Sequence, residues 1–532
     1  MKQLNQYIPF NETGYCSSLV SDFLTSAPSI RNFTQYNPTH PDVELAIKTK
    51  ANQPIHRDVL VKALQGQYSR LEHVDTAVRT NIELLLSTNT YTICTAHQPN
   101  IFTGYLYFVY KILQTVKLSR ELTEKFPGKH FVPVYYMGSE DADLDELGKI
   151  FLNNKTISWP TQQHGAVGRM KTEGFAALID QVTAELGYGP FAADLVEMLK
   201  KAYLGHDTIQ EATLYLVNEL FGKYGVVVLI PDNPALKRLY IPVMQEELLQ
   251  QSSFHVVEKT NVELSKNYKA QAYPREINLF YLSQGTRERI VKEGEVWKVL
   301  NTPLEFDEAT LLQTLHDYPE RFSPNVILRG MFQETILPNV AFIGGGGEVA
   351  YWLQLKDLFN HYNVPYPIVL LRNSFLYIDQ FHHERIAKLG LSVQDLFIET
   401  EALVNAFVRK HTNAELVLKE EYALIDQLFA KIAEKAKQID VTLEVTTQVE
   451  HNRAIKSIGK LEHKFLKAEK KKFAWQTEQI RQLKARLFPG NSLQERKENF
   501  MPYYAMYGEA FFETILNAMI PVTDQFCVIA EA

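Results

Sequence analysis

Residues 91–111, YTICTAHQPNIFTGYLYFVYK, constrain the fold more than any other stretch of this chain. Residues 91–96 read as a buried strand that stops at a polar turn containing proline and glycine, and apolar residues at helical spacing follow at once. A strand, a tight turn and a helix start are a ready anion site, because free N–H groups and the positive end of the helix dipole converge there. His97, Gln98, Asn100 and Thr103 are the side chains such a turn would deliver, with Gly104 closing it. The turn is neither a G-x-G-x-x-G nor a Walker sequence, so neither familiar nucleotide fingerprint applies, and a polar loop between core elements is the competing reading.

A second strand, HFVPVYYMG at residues 130–138, completes a βαβ unit and predicts a parallel Rossmann-like sheet with ligands at the carboxyl ends of its strands. That strand runs into Ser139-Glu140-Asp141-Ala142-Asp143-Leu144-Asp145-Glu146, which places carboxylates at the same edge as the His97 turn. They could bind an ammonium group, act as a base toward an amine or hold Mg²⁺, or they could simply answer a helix dipole. The sheet resumes at residues 226–230. Between residues 325 and 372, Arg329, Gln333 and Glu334 precede a strand at 339–343, and Gly344, Gly345, Gly346, Gly347 and Glu348 open a helix. Four glycines permit close backbone approach to a ligand, and without a following Lys-Ser/Thr they make no P-loop. A last strand at 367–371 ends in Arg372-Asn373-Ser374, a fixed positive charge at the same edge.

The fold class is therefore α/β: a Rossmann-like parallel core over residues 1–378, with connecting segments inserted at about 150–225 and 255–322, the second a small hairpin element and a helix. From residue 379 to 490 the pattern becomes an α-helical coiled-coil arm. Leu418, Tyr422, Ile425, Phe429, Ile432, Ala436 and Ile439 form a heptad seam, and a second helix runs to residues 488–490 after a break near 440–442. Exposed seams of this length find partners, so oligomerisation through the arm is expected, with packing on the chain's own core as the alternative. Residues 491–532 return to the core with an apolar helix.

Composition narrows the function classes. No stretch approaches 18 consecutive apolar residues and the N-terminus has no signal-peptide pattern, so the expectation is a cytoplasmic protein away from membranes. Three scattered cysteines, Cys16, Cys94 and Cys527, argue against a disulfide framework or a zinc site, and no metal ligand set is assigned. The net charge is −7, yet residues 450–487 carry 11 Lys or Arg against 4 Glu. On a long helix this reads as a solvated face, not as a nucleic-acid surface.

Taken together and in order, these motifs resemble the bacillithiol-synthesis cysteine ligase family, BshC, along nearly the whole chain. The matches are Gln98 and Phe102-Thr103-Gly104 ahead of Leu106-Tyr107 and Lys111; Gly138, Glu140, Asp141 and Asp143; NLFY at 278–281; Gln333-Glu334 and Pro338; AFIGGGGEVAYW at 341–352; Arg372 and Ser374; and LFPGNSLQER at 487–496. His97 and Pro99 stand where the family often has Gln and Ala or Gly, and Ala142 replaces a frequent His. The resemblance implies a homodimeric enzyme that joins L-cysteine to the glucosamine amine of glucosaminyl-malate. Amide formation from a carboxylate needs activation, and ATP with Mg²⁺ is the candidate donor, the energy source itself staying open. On this reading the activated carboxylate is stabilised by the helix start after Gly104, His97 and Arg372. Glu140 or Asp141 holds the cysteine ammonium or deprotonates the amine, and Arg329 or Lys111 pairs with malate. The competing classes are a non-catalytic coiled-coil binding protein and another Rossmann-type nucleotide-sugar or acyl transferase. The turn at residue 97 is also similar to the phosphate-contacting turn of nucleotidyl transferases and class I aminoacyl-tRNA synthetases, although the second His of that motif is missing.

Overall fold

A computed structural model describes residues 3–531, and these divide into two compact units. One holds residues 5–376 and 493–529; the other holds residues 377–492 with 3–4 and 530–531.

The larger unit contains, in chain order, β1 (Thr90–His97), α1 (Tyr107–Lys125), β2 (His130–Met137), β3 (Val227–Leu229), β4 (Leu279–Ser283), β5 (Thr286–Glu293), β6 (Val296–Val299), β7 (Glu305–Phe306), β8 (Phe322–Pro324), α2 (Val326–Ile336), β9 (Asn339–Gly344), α3 (Gly346–Trp352) and β10 (Ile368–Leu371). Five of the strands make one parallel sheet in the order β10-β9-β1-β2-β3. All eight residues of β2 pair with β1, from Thr90 with His130 to His97 with Met137, so both strands end at one level. Burial on both faces explains why these strands are near-continuous apolar runs in the sequence. On one face Tyr91, Ile93, Phe131, Val340, Ala341, Ile343, Ile368 and Leu370 pack against Leu118 and Leu122 of α1 and against Ala46 and Ile47.

The inserted element is larger than the hairpin that its sequence predicts. β4 to β8 form a second, antiparallel sheet of five strands in the order β7-β6-β5-β4-β8. The strand β8 leads within two residues into α2, so this sheet is tied directly to the element that carries Arg329.

α1 begins at Tyr107 and not directly after the turn, because the chain first makes a left-handed bend. Phe102, Thr103 and Gly104 all have positive φ, at 49°, 64° and 70°. Two of them are not glycine, so the bend is strained and the surroundings must hold it. Phe102 is fully buried against Phe175 and Tyr203, its N–H donates to the Tyr203 hydroxyl at 2.7 Å, and the Asn499 amide donates to the Phe102 and Gly104 carbonyls. A Cβ at Gly104 would lie 2.7 Å from Asn100 Cβ.

In the smaller unit, α4 (Lys419–Ile439) and α5 (Leu443–Lys472) form an antiparallel hairpin, joined by Glu462 accepting from the Leu418 N–H and the Tyr422 hydroxyl, and by His451 against Asp426 and Phe429. The second helix is not continuous to its predicted end: it stops at Phe473 and a separate α6 (Ala474–Leu487) follows. Ile458, Leu461, Phe465 and Ala468 follow one another at spacings of three and four, whereas Phe473 comes five residues on, and this skip is the sequence trace of the break. Strands at Gln3–Pro9 and Gln525–Glu531 are further elements that the periodicity does not announce.

Candidate active site

The carboxyl ends of β1, β2 and β9 open into a cavity of 700 Å³ in the larger unit. Its wall is cationic. Arg275, Arg287, Arg289, Arg329, Arg372 and Arg496 line it, against Asp141, Asp143 and Glu348.

Two of these carboxylates are already committed. Asp141 accepts from both terminal nitrogens of Arg329 and lies 3.7 Å from Arg287. Burial alone would raise its pKa, but Arg329, Arg287 and a hydrogen bond from Gln98 outweigh burial and hold it below the ordinary carboxylate value. A carboxylate so clamped is a poor base. Gly138 is what lets the arginine pass: a Cβ there would meet Arg329 Nη1 at 3.3 Å. Glu348 accepts from the Gly345 N–H at 2.8 Å and from Lys111 Nζ at 2.6 Å, and Lys111 also donates to the Ala96 carbonyl at 2.6 Å. Gly345, Gly346 and Gly347 line the cavity, and a Cβ at Gly345 would press on Arg372 Nε at 3.4 Å.

Arg372 pairs with buried Glu495 at 2.6 Å and lies 4.9 Å over the Tyr107 ring. Among the described residues Arg275, Arg289 and Arg496 have no ion-pair partner. These are the cavity's uncommitted charges.

His97 sits between the rings of Tyr107 and Phe108, at 5.4 and 5.5 Å. Burial first, and then Lys111 and Arg372, push its pKa well below 6.5, so the imidazole is neutral at neutral pH. Its Nε2 is enclosed and has no hydrogen-bond partner.

Of the residues that the sequence singles out, the structure brings His97, Gln98, Asp141, Arg329, Gly345, Gly346, Gly347, Glu348 and Arg372 to one cavity. The others are close by but turned away. Asn100, Thr103 and Gly104 belong to the inward bend; the N–H of Leu106, just before the following helix, donates to the Glu498 carbonyl at 2.7 Å, and those of Phe108 and Val109 in its first turn donate to the Tyr105 and Leu106 carbonyls. The anion site expected at that helix start is thus filled by the chain itself. Glu140 is buried with Lys237 Nζ at 2.5 Å and with Ser323, away from the cavity wall. Lys111 has two acceptors and no cavity exposure. Gln333 donates to Glu334, which in turn pairs with buried Lys50 at 3.0 Å. Gly344 ends β9, and Ser374 donates to Glu495 and lines a separate chamber of 200 Å³ beside Arg372 and Arg496. Sequence reading misses Arg275, Arg287 and Arg289, and it meets Tyr107 and Arg496 only as members of matching motifs, with no place at the site. The alternation in TRERI, with Arg287 and Arg289 two apart on one face of a strand, is the signal that could have found two of them.

Among the described residues no group of three or more His, Cys, Asp or Glu could hold a metal ion, and no helix is long and apolar enough to cross a membrane.

The neutral state of His97 has a measurable consequence. The folded chain binds fewer protons at this site than the unfolded chain, so its contribution to stability is complete above pH 6.5 and is lost as pH falls below it. Side-chain NMR, with His97→Gln to assign the signal, should show His97 neutral from pH 8 to pH 6; a midpoint near 6.5 would contradict this.

Residues 4–373 match the family described as "Bacillithiol biosynthesis BshC, N-terminal Rossmann-like domain", and residues 375–531 match "Bacillithiol biosynthesis BshC, C-terminal coiled-coil domain". A Flavobacterium johnsoniae protein named "Putative cysteine ligase BshC" is 39% identical over 98% of this chain and 99% of its own length. Proteins of the same name from Flavobacterium psychrophilum and Cytophaga hutchinsonii are 38% and 36% identical, covering 99% and 95% of each chain. The parallel sheet, the cavity at its carboxyl edge, the helical arm and these full-length matches agree, and the chain belongs to the BshC family of bacillithiol biosynthesis.

Proposed function

We propose that this chain is a ligase that joins the carboxylate of L-cysteine to the glucosamine amine of glucosaminyl-malate, forming bacillithiol. The observation that carries the reading is the cationic cavity at the sheet edge, with six arginines and only three acidic side chains, two of them already paired. The substrates bring three carboxylates, two from malate and one from cysteine, and the guanidinium fork matches each of them.

Within this site Arg372, held by Glu495 and stacked on Tyr107, is a rigid positive charge for the reacting carboxylate. His97, neutral, without a partner at Nε2 and beside Lys111 and Arg372, is as poor a base as Asp141 and serves to hydrogen-bond the reacting carboxylate, while the amine proton leaves with the departing phosphate as the C–N bond forms. Asp141 positions Arg329 instead of serving as the base, and Glu140 with Lys237 braces the wall behind it. ATP would supply a leaving group on the cysteine carboxylate, and the uncommitted Arg275 and Arg496 suit its phosphates. A divalent cation would arrive with those phosphates, because two of the cavity's three carboxylates are taken.

The enzyme is a cytoplasmic homodimer joined through the arm, and neither nucleic acid nor a membrane is a partner in this reading. Tyr422, Ile425 and Phe429 are half-buried within the hairpin, whereas Leu424, Leu428, Ile432 and Ile439 remain exposed, at 64%, 54%, 40% and 79%. An exposed apolar row of this kind supports association.

The direct test incubates purified protein with glucosaminyl-malate and cysteine, with and without Mg-ATP, and follows the product thiol and any AMP or ADP by mass spectrometry. Product with AMP would mean adenylation, product with ADP an acyl phosphate, and product only in cell extract a different donor. No product in either setting would overturn the reading. For the arm, Leu428→Glu with Ile439→Glu should turn a dimer into a monomer in analytical ultracentrifugation; an unchanged dimer would remove the arm from the interface.

A further inference from the structure

We propose that Arg287 and Arg289 on β5 are the specificity-determining pair of the acceptor site, taking the dicarboxylate end of malate. This rests on the acceptor assigned above and deepens it.

The pair is built by strand geometry. Residues two apart on a strand share a face, and across the hairpin Phe280 of β4 stands opposite Arg289 while Leu282 stands opposite Arg287. The Arg287 guanidinium lies 4.0 Å over the Phe280 ring, so its plane is fixed. Its Nε reaches Ser323 at 3.3 Å, and its side chain is only 8% exposed. The far edge is unused. Nη2 lies 3.7 Å from Asp141, beyond hydrogen-bond reach, because Asp141 is engaged by Arg329, and this buried nitrogen has no acceptor. Arg289 Nε is likewise buried without an acceptor.

Two guanidinium groups on one strand face, each with enclosed donors left over, call for a ligand with two anionic groups a few bonds apart. A C4 dicarboxylate and a nucleotide polyphosphate share that chemistry. The surrounding wall favours the dicarboxylate: Ile277, Leu279, Phe280 and Val326 line the cavity beside the pair and suit a short carbon skeleton. Asp141 is then a positioning residue that holds Arg329 and leaves Arg287 aimed at the ligand.

The test compares wild type, Arg289→Gln, and Arg287→Gln with Arg289→Gln. It reads malate binding by calorimetry, ATP binding by the same method, and steady-state turnover with glucosaminyl-malate and with a methyl glucosaminide that lacks malate. Wild type should bind malate, and the double variant should lose roughly 100-fold or more of that affinity, since each pair is a charge-assisted contact. KM for glucosaminyl-malate should rise in parallel, kcat should change far less, and turnover of the methyl glucosaminide should be unaffected. Arg289→Gln, whose side chain has no partner in the fold, guards against a folding artefact. Malate binding retained in the double variant, or loss of ATP binding alone, would overturn the proposal. Malate binding that is lost in the variants while wild type turns over neither acceptor would keep the subsite and reject the ligase reading instead.

Discussion

The site depends on Lys111 Nζ. Buried in α1, this ammonium holds the Ala96 carbonyl at the end of β1 and the Glu348 carboxylate at the start of α3. One charge thereby fixes the end of one strand against the turn that follows another. The same Glu348 accepts the Gly345 N–H, so the glycine run is held open toward the cavity. A buried ammonium is tolerated only when its donors are met and its charge is answered, and both conditions are satisfied by groups that the site itself needs in place.

The pattern repeats around the sheet. Glu140 is answered by Lys237, Asp141 by Arg329 and Arg372 by Glu495, and at the amino end of β9 Glu334 is answered by Lys50. Each pair joins segments distant in sequence, and each would be costly to break, because the surviving partner would be left charged and buried. What remains after this pairing is not neutral. Asp141 and Glu348 are consumed while Arg275, Arg289, Arg496 and one edge of Arg287 are left over, so the cavity keeps an excess of positive charge set by what its pairs leave unmatched.

Much of this was legible in the sequence, for a physical reason. Strands buried on both faces must be long apolar runs, and the turns at their carboxyl ends must carry polar residues, so β1, β2, β9 and β10 and the residues that follow them stand out. That local logic identifies the edge but not which way each side chain turns. The bend at residues 102–104 points inward because Tyr203 and Asn499, from segments far along the chain, receive it. Lys111 and Glu140 look like free charges until their partners Glu348 and Lys237 are seen. Arg287 and Arg289, and Arg275 just ahead of β4, were missed for the opposite reason: a charged stretch in an insertion reads as a solvated surface, and only the tertiary placement of the second sheet brings it to the first. Arg496 lies more than a hundred residues beyond the other lining residues, and although it closes the LFPGNSLQER motif, nothing local brings that motif to the sheet edge.

The central claim is that the anionic acceptor binds in this one cavity, at the carboxyl edge of the parallel sheet. A crystal structure with glucosaminyl-malate bound tests it most directly. The account predicts the malate carboxylates within hydrogen-bond distance of Arg287 and Arg289, and the glucosamine amine on the side of His97 and Arg372. Density for the ligand elsewhere, with the arginine cavity left to solvent, would contradict it.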